Sequence, residues 1–299
     1  MSAGYPTEPS ARSEAGIGCL TDMPCVLLLW HLASFDAPTV AVVWSLAFAW
    51  SAGVQLPLWI PVVLALGVWA AYIGDRLLDA RAGLRSPARA ALRERHYFHW
   101  RHRRILVPLS ALAACAAAWL VFLFMQPAAR EPNSFLAVAA LAYFSGVHSH
   151  RRVPRLLTKE FLVGIIFSAG CALPTWFRLR AGHGSMLWLF WLPVVYFAAL
   201  AWLNCHAIAR WESELRSPYA AGVLPLGCLL GLAGSVLALA CAVGNERSSA
   251  LFICASASAL LLALLDQLRG RLTPTALRAA ADFVLLTPAL LLPLGYWVR

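Results

Sequence analysis

Apolar runs long enough to cross a bilayer follow one another along almost the whole chain, and this succession limits what it can become. A hydrocarbon core about 30 Å thick takes roughly 20 apolar residues per helix. Nine runs reach or approach that length: 33–52, 56–80, 104–125, 133–149, 160–178, 186–209, 220–243, 248–268 and 279–298. Inside lipid every backbone polar group must be satisfied by its own segment, so such runs are helices. The expected fold is all-α. It is a polytopic membrane helical bundle of about nine transmembrane helices in one domain, 24–299, behind a disordered cytoplasmic tail, 1–23. Cytoplasmic loops are expected at 81–103, 150–159, 210–219 and 269–278. The stretch Pro24 to Ala33 is too short to span and reads as an interfacial segment. Ser34 or Asp36, followed by Pro38, makes a good helix start after it.

Composition closes off the alternatives. Of 299 residues, 61% are hydrophobic and 13% charged, against about a quarter charged in ordinary soluble domains. A soluble enzyme, a disordered tail protein and a partner for nucleic acid are excluded. The eight cysteines lie singly, mostly in apolar runs, and no CxxC occurs. They read as small buried side chains rather than a disulfide framework or a zinc site. The positive charges set the orientation. With the N-terminus inside, 19 basic residues fall on cytoplasmic segments and five outside. That bias predicts an N-in, C-out integral protein, in a bacterial inner membrane.

Ionisable groups at the rim of a hydrocarbon core are costly, so their positions carry information. Asp75 and Asp79 end the second span. Glu212 and Glu214 lie past the sixth, with Asn204 and His206 inside it. Asp266 ends the eighth and Asp282 begins the ninth. All fall at cytoplasmic ends. Asp75 and Asp79 are one turn apart on one helix face, and so, two turns apart, are Asn204 and Glu212. Together they could offer oxygen ligands of the kind Mg²⁺ takes, alongside a substrate phosphate. Equally, Asp75 could pair with Arg76 or Arg81 while Asp79 sits among lipid headgroups.

The loop from Arg81 to Arg104 could grip a diphosphate by bidentate arginine contacts, or serve as a basic cluster on anionic lipid. His96, His99 and His102 repeat every three residues, but the arginines around them disfavour a cation. The loop before span five holds Arg151, Arg152, Arg155 and Lys159, the one lysine of the chain. Gly164, Gly170 and Pro174 beyond it allow close helix approach and a local break. The Gly227-xxx-Gly231 pair is a packing motif.

Tyr72-Ile73-Gly74-Asp75-Arg76-Leu77-Leu78-Asp79 resembles part of the first aspartate-rich motif of the UbiA-type intramembrane prenyltransferase family. Lys159-Glu160-Phe161-Leu162-Val163-Gly164 resembles the basic, glycine-containing start of that family's fifth helix, and the nine-span layout is similar. Ala71 stands where the motif has Asn. Ile208 stands within the second motif, where an acid is expected, so the chain resembles a divergent member. The resemblance implies transfer of an isoprenyl group from a Mg²⁺-bound isoprenyl diphosphate to an aromatic or other lipophilic acceptor. Asp75, Asp79 and Glu212 would be catalytic and metal-binding. Arg76, Arg151, Lys159 and Asn204 would bind substrate. These side chains are expected to converge on one cytoplasm-facing cavity ringed by arginine. The alternative is a catalytically degenerate UbiA-like protein that binds lipid or scaffolds membrane partners.

Overall fold

The computed structural model describes residues 25–85, 94–127, 130, 134, 159–182, 187–214 and 222–292. Its described elements are helical throughout: α1 (Cys25–Leu32), α2 (Asp36–Ser51), α3 (Trp59–Arg85), α4 (Glu94–Arg101), α5 (Arg103–Phe124), α6 (Lys159–Gly182), α7 (Trp191–Glu214), α8 (Val223–Cys241), α9 (Glu246–Leu268) and α10 (Pro274–Phe283). A 3₁₀ stretch, Val284–Leu291, continues α10. Among the described residues seven segments are long and apolar enough to cross a membrane. The bent pair α1–α2, whose axes turn by 89°, makes an eighth where the two helices count as one broken span. The protein is therefore an all-helical membrane protein. The expected span 133–149, apart from residue 134, and the tail 1–23 lie outside the described residues.

The element bounds differ from expectation where caps or charge mask the helix. The loop expected over 81–103 contains α4, whose arginines and histidines read as loop but sit on a regular helix. The last span starts at Pro274 rather than 279. Thr273 caps it, accepting a hydrogen bond from the Ala276 amide at 3.2 Å, and Pro274 follows at the first helical position, where its missing N–H costs nothing. No break occurs at Pro174, because α6 runs through it.

Aromatic side chains bind the centre. Trp44 is fully buried on α2 and stacks on Phe197 of α7, with ring centroids 3.9 Å apart. Its indole N–H donates to the Leu285 carbonyl at 2.9 Å, so the ring fills the core and leaves no donor unpaired. Phe48, Phe167 and Phe190 complete the cluster. Small residues let other helices close in. A Cβ on Gly164 of α6 would lie 2.9 Å from the Ala198 carbonyl oxygen of α7. One on Gly227 of α8 would lie 2.9 Å from the Ala259 carbonyl oxygen of α9. The outward faces of α5 and α8 remain apolar, with Leu112, Trp119 and Phe122 on one and Leu229, Leu232, Val236 and Leu239 on the other exposed. Such faces suit lipid rather than water.

The turn between α1 and α2 is tightly held. Ser34 sits in the left-handed region at φ 60°, a costly place for a residue with a Cβ. The Trp69 indole of α3 donates to the Ala33 carbonyl at 2.9 Å and its ring stacks on Phe35. His99 of α4 takes the tautomer its neighbours dictate. Its Nδ1–H donates to the Arg95 carbonyl at 2.7 Å, leaving Nε2 to accept from the Ser34 hydroxyl at 3.2 Å.

Candidate functional site

The charged residues collect at one end of the bundle, around the start of α2, the second half of α3, α4, the end of α7 and α10. Two linked constellations form there. The first is cationic. Arg76 of α3 is buried, with 5% of its surface exposed, and its guanidinium lies over the Tyr72 ring at 5.4 Å. Arg95 of α4 donates to Glu212 of α7 at 2.9 Å, and Arg278 of α10 reaches the same oxygen at 2.8 Å. The Nε–H groups of Arg76, Arg95 and Arg278 are buried and meet no acceptor among the described residues. Buried donors without acceptors are rare and costly. The guanidiniums also feel one another. Burial first, then the charges of Arg278 and Arg76, hold Arg95 down to about 9 in spite of Glu212.

The expected site residues divide accordingly. Asp75 and Asp79 are half-buried on α3 and border this cluster. The charge of Asp75 acts on Arg76, and that of Asp79 on His96. Neither lacks a partner. Glu212 is held by two guanidiniums, so its oxygens are turned to arginine rather than offered to a cation. Asn204 is buried and its amide donates to Asp282 at 3.0 Å. Lys159 opens α6, and Arg151 lies outside the described residues. His96 is a buried neighbour of the arginines, held down to about 4 by desolvation and by Arg95. His99 is lowered as well, by burial, so both imidazoles are neutral.

The second constellation was not anticipated. His31 ends α1, Asp36 begins α2, and Asp282 lies on α10. Their ligand-capable atoms all fall within 4.8 Å of one another. Among the described residues this is the one such group of three, and Asp75, Asp79 and Glu212 do not form another. Asp36 looked like a helix cap; its Oδ1 does accept from the Ala37 amide at 2.9 Å, while its Oδ2 accepts from His31 Nδ1–H at 2.8 Å. The contact joining Asp36 to a residue 246 positions away leaves no trace in local spacing.

Asp266, another rim acid, has a structural task. One oxygen accepts from the Trp211 indole at 2.7 Å and from Arg269 at 2.8 Å, and the other from the Leu224 amide at 3.0 Å. It thus caps α8, whose own N-cap is Gly222 with no side chain to offer. The groove between α8 and α9 is lined by Leu239, Ile253 and Leu260 together with Ser235, Ser249 and Ser256. Those hydroxyls already bond to carbonyls of α8, so the groove offers apolar surface and little chemistry.

What this end of the molecule can do follows from its parts. Three largely buried guanidiniums lie at this end of a bundle of apolar helices, and the helix that carries Arg76 also carries two carboxylates a turn apart. That combination suits a phosphorylated lipid: anion at the arginines, tail among aliphatic side chains. No family model, no curated protein and no solved structure matches the chain.

Proposed function

We propose that the protein is a UbiA-like intramembrane prenyltransferase, taking an isoprenyl diphosphate at its arginine-rich end, and that this end faces the cytoplasm of a bacterial inner membrane. The observation that carries the reading is the set of buried, acceptor-less Nε–H groups on Arg76, Arg95 and Arg278 beside Asp75 and Asp79. A diphosphate supplies the acceptors those donors lack, and its charge relieves their mutual repulsion.

The donor set suits Mg²⁺ in part. Asp75 and Asp79 fit, being two carboxylates on one helix face, the number Mg²⁺ ordinarily takes from protein when phosphate provides the rest. Glu212 does not fit, because Arg95 and Arg278 occupy it. The second aspartate-rich site of the family is therefore not assigned here. Bound at Asp75 and Asp79, Mg²⁺ would neutralise charge growing on the departing diphosphate. The chain's own residues do the remainder. Arg76 and Arg278 bind phosphoryl oxygens and stabilise the same developing charge. Glu212 holds Arg95 and Arg278 in place. The apolar helix faces seat the prenyl chain and keep water from the allylic centre, so that a lipophilic acceptor captures it and the proton the acceptor loses leaves with the diphosphate.

One observation favours the catalytically degenerate reading. Both polar positions of the second motif are spent internally, Asn204 on Asp282 and Glu212 on two arginines. A single measurement separates the two. Purified protein is melted with geranylgeranyl diphosphate, with and without Mg²⁺, and product is sought with a lipophilic phenol. Stabilisation that requires both additions, and is lost in Asp75→Asn with Asp79→Asn, supports the transferase. Diphosphate binding indifferent to Mg²⁺, without turnover, supports lipid binding alone.

A further inference from the structure

His31, Asp36 and Asp282 form a cluster that the prenyltransferase reading does not use. All three are buried, at 4%, 0% and 9% exposure. Two carboxylates this close repel, and removal from water strengthens the repulsion. The usual remedy is an arginine hydrogen bond; among the described residues neither carboxylate receives one, and Arg76 and Arg278 act on Asp36 and Asp282 through charge alone. The partners of Asp36 are His31 and the Ala37 amide, and that of Asp282 is Asn204. Arg278, the arginine on the same helix as Asp282, donates instead to Glu212.

A separate observation comes from α7. Asn204 is 5% exposed, and its Oδ1 is buried without a hydrogen-bond partner. Its amide nitrogen is fixed on Asp282, so the orphaned carbonyl oxygen sits beside the cluster. The set then comprises one imidazole, two carboxylates and one amide carbonyl, drawn from α1, α2, α7 and α10. The 2.8 Å from His31 Nδ1 to Asp36 Oδ2 is close to the spacing, about 3 Å, of neighbouring ligands in a site with bonds of about 2.0–2.2 Å.

We propose that His31, Asp36, Asp282 and the Asn204 carbonyl bind one divalent first-row ion, of the Mn²⁺ or Zn²⁺ class. One nitrogen with several oxygens suits these ions better than Ca²⁺, which takes oxygen alone. On binding, the proton now on His31 Nδ1 leaves for solvent, and the ion takes its place between imidazole and carboxylate. Ligands on both sides of the 89° turn and on two distant helices make the ion a staple. It ties the N-terminal corner to the C-terminal helix.

The proposal stands apart from the Mg²⁺ at Asp75 and Asp79, and the test separates them. Full-length protein in detergent is stripped with EDTA, then loaded with Mn²⁺ or Zn²⁺ and freed of excess. One ion per chain is expected, with a raised melting temperature. The Mn²⁺ electron spin resonance should carry a nitrogen coupling from His31. His31→Ala removes the coupling, and Asp282→Asn weakens binding on the order of 100-fold. Asp75→Asn with Asp79→Asn leaves both unchanged. The wild-type spectrum decides the nitrogen ligand even where a variant fails to fold. Retention of no ion, absence of nitrogen coupling, or equal binding by the His31 and Asp282 variants overturns the proposal. So does a stripped protein whose stability answers to pH alone, since the carboxylates would then be sharing a proton.

Discussion

Glu212 shows how closely balanced the charged end is. It accepts from Arg95 and Arg278 together, and removing it strands two guanidiniums away from water. Glu212→Gln should cost about 2–4 kcal/mol, toward the lower part of the range for broken buried pairs because Glu212 is partly exposed. Adding Arg278→Gln should recover part of that loss, and thermal unfolding in detergent gives both values. The same crowding governs His96. Its folded value, about 4, lies below the ordinary 6.5, so the unfolded chain takes up the proton first. Stability from this residue is present above 6.5 and falls as pH drops from there toward 4. His96→Gln should flatten that slope in a pH series of melting curves. That Asp75 and Asp79 share one face of α3 was legible as helical spacing. The use of Glu212 was not, because its two partners lie on helices 117 and 66 positions away.

Among the helices, α8 and α9 pack most intimately, and their glycines are not equivalent. A methyl on Gly227 would meet the Ala259 carbonyl oxygen and the Ala263 Cβ, both at 2.9 Å. One on Gly231 would meet the end of the Leu260 side chain, which can turn aside. Gly227→Ala should therefore destabilise by about 1–3 kcal/mol, as overpacking does, and Gly231→Ala by clearly less. Paired melting curves check the order. The Gly-xxx-Gly spacing announced close packing, but which glycine abuts rigid backbone depends on the partner helix. Helix boundaries were legible where apolar runs end in loops. They failed at α4, where charged residues on a helix look like a loop.

The whole molecule separates into an apolar body and one chemically equipped end. The orientation proposed above puts that end in the cytoplasm. In a cysteine-free background, Gly270→Cys should react with a membrane-impermeant maleimide only after cells are opened, and Asn245→Cys should react in intact cells. The reverse pattern would invert the topology. The membrane class was written plainly in the apolar runs, since lipid admits few other solutions. The cluster of His31, Asp36 and Asp282 was not, because it is assembled by tertiary contact between the two ends of the chain. A last consequence concerns assembly in time. The start of α8 takes its cap from Asp266, made 42 residues later. During synthesis the amide of Leu224 must wait, and the first turn of α8 settles only once α9 has been threaded back beside it. The cap of α8 is thus complete only when both helices of the hairpin are in place.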